Sequence, residues 1–246
     1  MASPHDHAQS PSHPFQATLA GRIQEVDEGV YSVSGTIRVP IGEIPRRMTV
    51  VALDDGRLVI FSAIELSDLE HECVEEHGRP AFLIVPNAHH RKDAPLWKRR
   101  YPDLQVIAPP GSREKVESVV PVDTTDPDFG DLRVRYVVVP GTAGREAALE
   151  VERPGGITLV LNDIVANMHD GRGLKGWLLR KMQFSGDEPH VPSPVKRMIV
   201  DGERDLRAQL LAWAAMPDLT RILVSHGDII EHDPAGALRR LAGTLG

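Results

Sequence analysis

The feature that most constrains this chain is a set of short, nearly all-apolar runs, each ending abruptly at a polar group. "LVIF" stops at Ser62, "FLIVP" at Asn87, "YVVVPG" at Thr142, "ITLVLN" at Asp163 and "RILVS" at His226. Runs of this length, rich in β-branched residues, read as strands buried on both faces. Two further stretches, 29–39 and 47–64, read as paired strands, with Asp54, Asp55 and Gly56 as the hairpin turn. Helical segments lie between them. "LSDLEHECVEEHG" has Ser67 as cap and Gly78 as stop, "GSREKVESV" opens at Ser112, and "DPAGALRRLAGTL" has Asp233 as N-cap with Pro234 at its first position. "APLWKRRYP", "GLKGWLLRKM" and "DGERDLRAQLLAWAAMP" are also expected to be helical. The strands cluster in two blocks, each followed by helices. That order predicts an α/β four-layer αββα sandwich, and the hairpins argue against the alternative of one doubly wound parallel sheet.

Composition narrows the function. A chain of 246 residues, 41% hydrophobic, is long enough for one large core, here expected over residues 16–246. Residues 1–15, with His5, His7 and His13 among serines and prolines, are expected to be a disordered leader. The net charge of −7 argues against generic duplex binding, so no nucleic-acid partner is expected. A single cysteine, Cys73, excludes an intrachain disulfide and a CxxC zinc site. The first 15 residues lack the pattern of a secretory signal, and no run reaches the ~18–20 apolar residues of a membrane span. A cytoplasmic protein without membrane contact is therefore expected, its oligomeric state open. No G-x-S-x-G elbow occurs, and "GTAGREAALE" reads as a plain turn rather than a phosphate cradle.

In α/β folds ligands collect at the C-terminal ends of strands. Three such ends carry donors for borderline metals: an imidazole at His89 or His90, the Asp163 carboxylate and the His226 imidazole. This succession, over roughly residues 29–245, resembles the metallo-β-lactamase-fold superfamily. The resemblance implies an αββα sandwich around a zinc or iron site that activates water for hydrolysis. The family pattern is a strand ending in Asp, then H-x-H-x-D-H, a P-G-H turn, a strand ending in Asp and a last strand ending in His-Gly. In this chain Ser62 takes the first Asp position, Asn87 the first His and His89 the second. Arg91 and Lys92 replace the Asp-His pair, and Thr142 in "PGTAG" takes the third His. Asp163 and His226 match the bridging carboxylate and the final ligand, while His90 has no counterpart unless the register slips by one.

The resemblance thus implies a degenerate site of His89, Asp163 and His226, with His90 or His169 assisting, that holds one zinc or iron ion or none. Arg91 and Lys92, if they point inward, exclude a second cation and attract an anion. Two functions follow. One is a hydrolase relative with an at most mononuclear site acting on an unknown small substrate, anionic ones included. The alternative is a catalytically inactive descendant binding a small anionic ligand or a protein partner through the same cleft. Elsewhere His71 and His77 are expected to face solvent, and His232 with Asp233 to form a helix cap. His190 belongs to a Pro-rich loop.

Overall fold

Alternate residues of each apolar run go to opposite faces, and both faces are buried. In the computed structural model, which describes residues 22–39, 42–168, 186 and 188–246, these runs build two sheets. The first has six strands in chain order: β1 (Ile23–Asp27), β2 (Val30–Val39), β3 (Gly42–Ala52), β4 (Arg57–Phe61), β5 (Arg79–Ile84) and β6 (Gln105–Ile107). The second has four, β7 (Val134–Val138), β8 (Ala147–Arg153), β9 (Gly156–Leu161) and β10 (Leu219–Val224), in spatial order β10-β9-β8-β7. The β4–β5, β5–β6 and β9–β10 pairs are parallel, and the others antiparallel.

Three apolar layers hold these elements together. Leu58, Ile60 and Leu83 pack beneath helices α1 (Asp68–Glu75), α2 (Ala94–Arg100) and α3 (Arg113–Glu117), against Val74, Trp97 and Val116. The intervening residues Val59, Phe61 and Ile84 face the second sheet, where they meet Leu149, Val160 and Leu223. On the far side, Leu159, Leu161 and Ile222 pack with Leu210 and Trp213 of α5 (Glu203–Ala214) and with Leu238 of α6 (Pro234–Gly243). A short α4 (Ser193–Met198) precedes α5. The protein is the expected four-layer α/β sandwich, with six helices among the described residues.

Local signals explain most helix ends. Ser67 and Glu70 form a reciprocal capping box, and the Asp233 side chain accepts from the Gly236 N–H with Pro234 following. Ser112 differs from expectation, because its hydroxyl donates to the Arg145 carbonyl instead of capping α3. His71 is also a correction. It is buried rather than solvent-facing, edge-on to Trp97 and 3.0 Å from the Tyr101 hydroxyl, because α2 covers that face of α1. The helix expected over residues 173–182, His169, and the leader at residues 1–15 lie outside the described residues. No helix among the described residues is long and apolar enough to cross a membrane.

One contact ties the two sheets where the site forms. The Arg47 N–H of β3 donates to the Ser225 carbonyl (2.9 Å), just past β10. Its guanidinium donates to the carbonyls of Val224 (3.1 Å) and Gly227 (2.6 Å). The chain can turn there only because residue 227 is glycine. Its φ is +99°, and a Cβ would fall 2.0 Å from the Asn167 carbonyl oxygen.

Candidate metal centre

Beyond β5 the backbone is bent by Asn87. Its Oδ1 accepts from the N–H groups of His89 (2.8 Å) and His90 (3.2 Å), an arrangement typical of asparagine turns. Its Nδ2 donates to Glu146 Oε2 (2.8 Å) and to Asp163 Oδ2 (2.7 Å), so both donors and both acceptor sites of the amide are used. The turn sends His90 inward, leaving its side chain 5% exposed, whereas His89 stays at the rim of the cleft.

His90, from the first sheet, meets Asp163 and His226, which follow β9 and β10 of the second. His90 Nε2 and His226 Nε2 lie 3.1 and 3.3 Å from Asp163 Oδ1, and 3.3 Å from each other. Three donors at the corners of a tetrahedron around zinc, each ~2.0 Å from the ion, are ~3.3 Å apart. The spacing and the His, Asp, His chemistry therefore fit a metal of that class. These three are the only such group among the described residues.

The rings are oriented from behind. His226 Nδ1 lies 2.8 Å from the Pro45 carbonyl, which can only accept, so Nδ1 carries a proton and the neutral ring presents its Nε2 lone pair to the cluster. His90 Nδ1 lies 2.7 Å from the Ser62 hydroxyl. Ser62 itself has a φ of +58°, uncommon for a residue with a Cβ, and its N–H donates to the Ile84 carbonyl (3.0 Å). Behind Asp163, Glu146 Oε1 accepts the Asp163 N–H (2.8 Å).

Electrostatics set the protonation of the metal-free cluster. Burial pushes the His90 imidazole below the ordinary value, and the charge of Asp163 only partly offsets this. Burial acts the same way on His226, but the hydrogen bond and charge of Asp163, with the Pro45 carbonyl, outweigh it and raise the pKa. Asp163 is held well below the carboxylate range despite burial, by the charges and hydrogen bonds of the two imidazoles. Glu146 is pushed well above it by burial and then by the Asp163 charge. In the metal-free cluster His226 therefore takes up a proton at higher pH than His90 does, beside the Asp163 carboxylate.

The cluster forms the floor of a cavity of about 280 Å³. Arg46 of β3 also lines it, buried, with one guanidinium nitrogen on Asp93 (2.8 Å) and another on the Ala63 carbonyl (2.9 Å). Arg91 donates to the Ala88 carbonyl and does not line the cavity. Lys92 opens on a separate groove of about 770 Å³ with Arg22, Ser67 and Asp93. His190 lies in the loop before α4, where its backbone pairs with that of Ala166. Thr142 is fully buried and its hydroxyl donates to the Val139 carbonyl, away from the cluster. Nothing in the sequence pattern marks Pro45, Arg46 or Glu146, since their roles arise only where β3 and β8 reach the ends of other strands.

No family model matches the chain, and no curated protein does. Solved structures match it over most of its length. DIM-1 metallo-β-lactamase is 14% identical with a TM-score of 0.62, covering 92% of this chain and 98% of that one. A metallo-β-lactamase from Hirschia baltica is 12% identical with a TM-score of 0.60, covering 89% and 96%. FIM-1 from Pseudomonas aeruginosa, solved in its mono-zinc form, is 12% identical with a TM-score of 0.59, covering 90% and 94%. The chain has a divergent metallo-β-lactamase fold.

Proposed function

We propose that His90, Asp163 and His226 hold one divalent ion, zinc by preference, and that the protein is a mononuclear hydrolase relative. The supporting observation is the triangle of donors with 3.1–3.3 Å edges, each imidazole braced through its other nitrogen. Iron(II) is the rival, because two histidines and a carboxylate also suit a facial iron site, whose donor edges run ~3.0–3.1 Å. A second ion is disfavoured: the other carboxylate oxygen, Asp163 Oδ2, already accepts a hydrogen bond from the Asn87 amide.

A zinc ion so held would lower the pKa of its water toward ~7 and polarise a carbonyl. The chain's own groups do the rest. Ser62 and Pro45 aim the imidazoles, Asn87 and Glu146 hold the carboxylate, and the cavity walls exclude bulk water from the reacting centre. His226, its side chain 19% exposed, presents the open face to substrate.

The same cluster closes on itself without metal, because the His226 imidazolium can satisfy Asp163 directly. This supports the second reading, a catalytically silent ligand-binding protein. Metal analysis of protein purified without an affinity tag separates the two. About one equivalent of zinc or iron, lost in Asp163→Ala, supports the hydrolase reading. Less than a tenth of an equivalent, with no uptake of added zinc, cobalt or iron(II), ends it.

A further inference from the structure

We infer that the cavity above His90, Asp163 and His226 is built for an uncharged substrate with a short aliphatic arm. This deepens the reading of that site as a hydrolase centre. Ile37 of β2 and Ile44 of β3 are cross-strand partners and form one wall. Val195 and Met198, three residues apart on α4, line the cavity too, as do Met168 and Pro194. Residues so spaced on a helix project to one side. Among the described residues, the polar groups that line the cavity are the His–Asp–His cluster, Arg46 and His89.

Among the described residues, the cavity offers a charged substrate little compensation. Arg46 lines it, but each of its two terminal guanidinium nitrogens already donates, one to Asp93 and one to the Ala63 carbonyl. Its remaining Nε is buried without a partner and out of reach of the open space. His226 is paired with Asp163. Lys92 opens on the other groove, and Arg91 is turned back onto Ala88. A carboxylate or phosphate lying along the walls would lose hydration without gaining a donor. An alkyl chain there gains instead from leaving water. A volume of about 280 Å³, filled to the density of a protein interior, takes about ten non-hydrogen atoms. That suffices for a carbonyl group at the cluster and an arm of about six carbons.

The test uses metal-stripped full-length protein and linear primary amides from propanamide to decanamide, with binding followed by ligand-observed NMR. Affinity is expected to rise about fourfold per added methylene, then level off once the arm fills the space. Matched carboxylates are expected to bind at least tenfold more weakly than the amides. Met198 is 51% exposed, so Met198→Asp should fold normally and flatten the length dependence. A flat amide series, no saturable binding, or carboxylates that bind more tightly and lose this in Arg91→Ala would each overturn the inference. The measurement needs no metal. A length-dependent series in a protein that takes up no ion leaves this inference standing and ends the hydrolase reading, whereas ion uptake with a flat series does the reverse.

Discussion

The side-chain amide of Asn87 donates to Asp163 Oδ2 across 2.7 Å, so the carboxylate oxygen turned away from the two imidazoles already has a partner. With that oxygen taken, the protein should bind no more than one equivalent of zinc even in excess, as measured by elemental analysis after gel filtration. Asn87→Ala should lower zinc affinity by tenfold or more, in the range found for residues that support a ligand. It should also destabilise the fold by about 2–3 kcal/mol, because the His89 N–H and the buried Glu146 Oε2 lose their partner and the His90 N–H keeps only the longer bond to the Asn87 carbonyl.

His90 and His89 are adjacent in sequence and opposite in role. His90→Ala should abolish tight zinc binding, while His89→Ala should leave the dissociation constant within about twofold, since its imidazole is not part of the cluster. Competition with a chromophoric chelator measures both. The reverse order would mean that the turn at Asn87 runs the other way.

Protonation of the metal-free cluster predicts a pH dependence of definite sign. His226 is raised by Asp163, so what the pair adds to stability is full below the unfolded histidine value of about 6.5. It is lost as the pH rises through the raised folded value. Asp163 is depressed, so its share is present above about 4 and lost as the pH falls through its own low value. His90 works against the pair below about 6.5, where only the unfolded chain takes up its proton. The difference in urea stability between wild type and His226→Gln isolates the pair and should shrink toward alkaline pH. Zinc affinity should run oppositely, falling about tenfold per unit below the His226 pKa, because the ion displaces that proton.

Arg46 and Asp93 form a buried ion pair, their side chains 5% and 8% exposed. Asp93→Ala would strand a buried guanidinium beside the cavity and should cost about 3–5 kcal/mol, measured by chemical denaturation. Replacing both residues with apolar ones of similar volume should recover much of that loss. Failure to recover it would mean that Arg46 is held mainly by the Ala63 carbonyl.

The sandwich was legible because burial on both faces leaves a mark on every residue of a strand: Leu58, Val59, Ile60 and Phe61 must all be apolar, whichever way each points. Caps such as Ser67 and Asp233 were legible because their partners lie three residues away. The donor cluster was legible only in part. Asp163 and His226 follow from strand ends, but the choice between His89 and His90 depends on how Asn87 bends the chain, and Asn87 is anchored by Glu146, 59 residues on. His71 misled for a related reason: the helix that covers it comes from a later part of the chain.

The cluster draws one imidazole from one sheet, and a carboxylate and an imidazole from the other, so a bound ion would rivet the two halves of the sandwich. Each half carries its own reporter, since Trp97 lies fully buried behind the first sheet and Trp213 behind the second. In a metal-loaded protein neither half can come apart without giving up the ion. Release of the ion and loss of both tryptophan environments would then be a single event, and retained metal would measure the integrity of the whole fold.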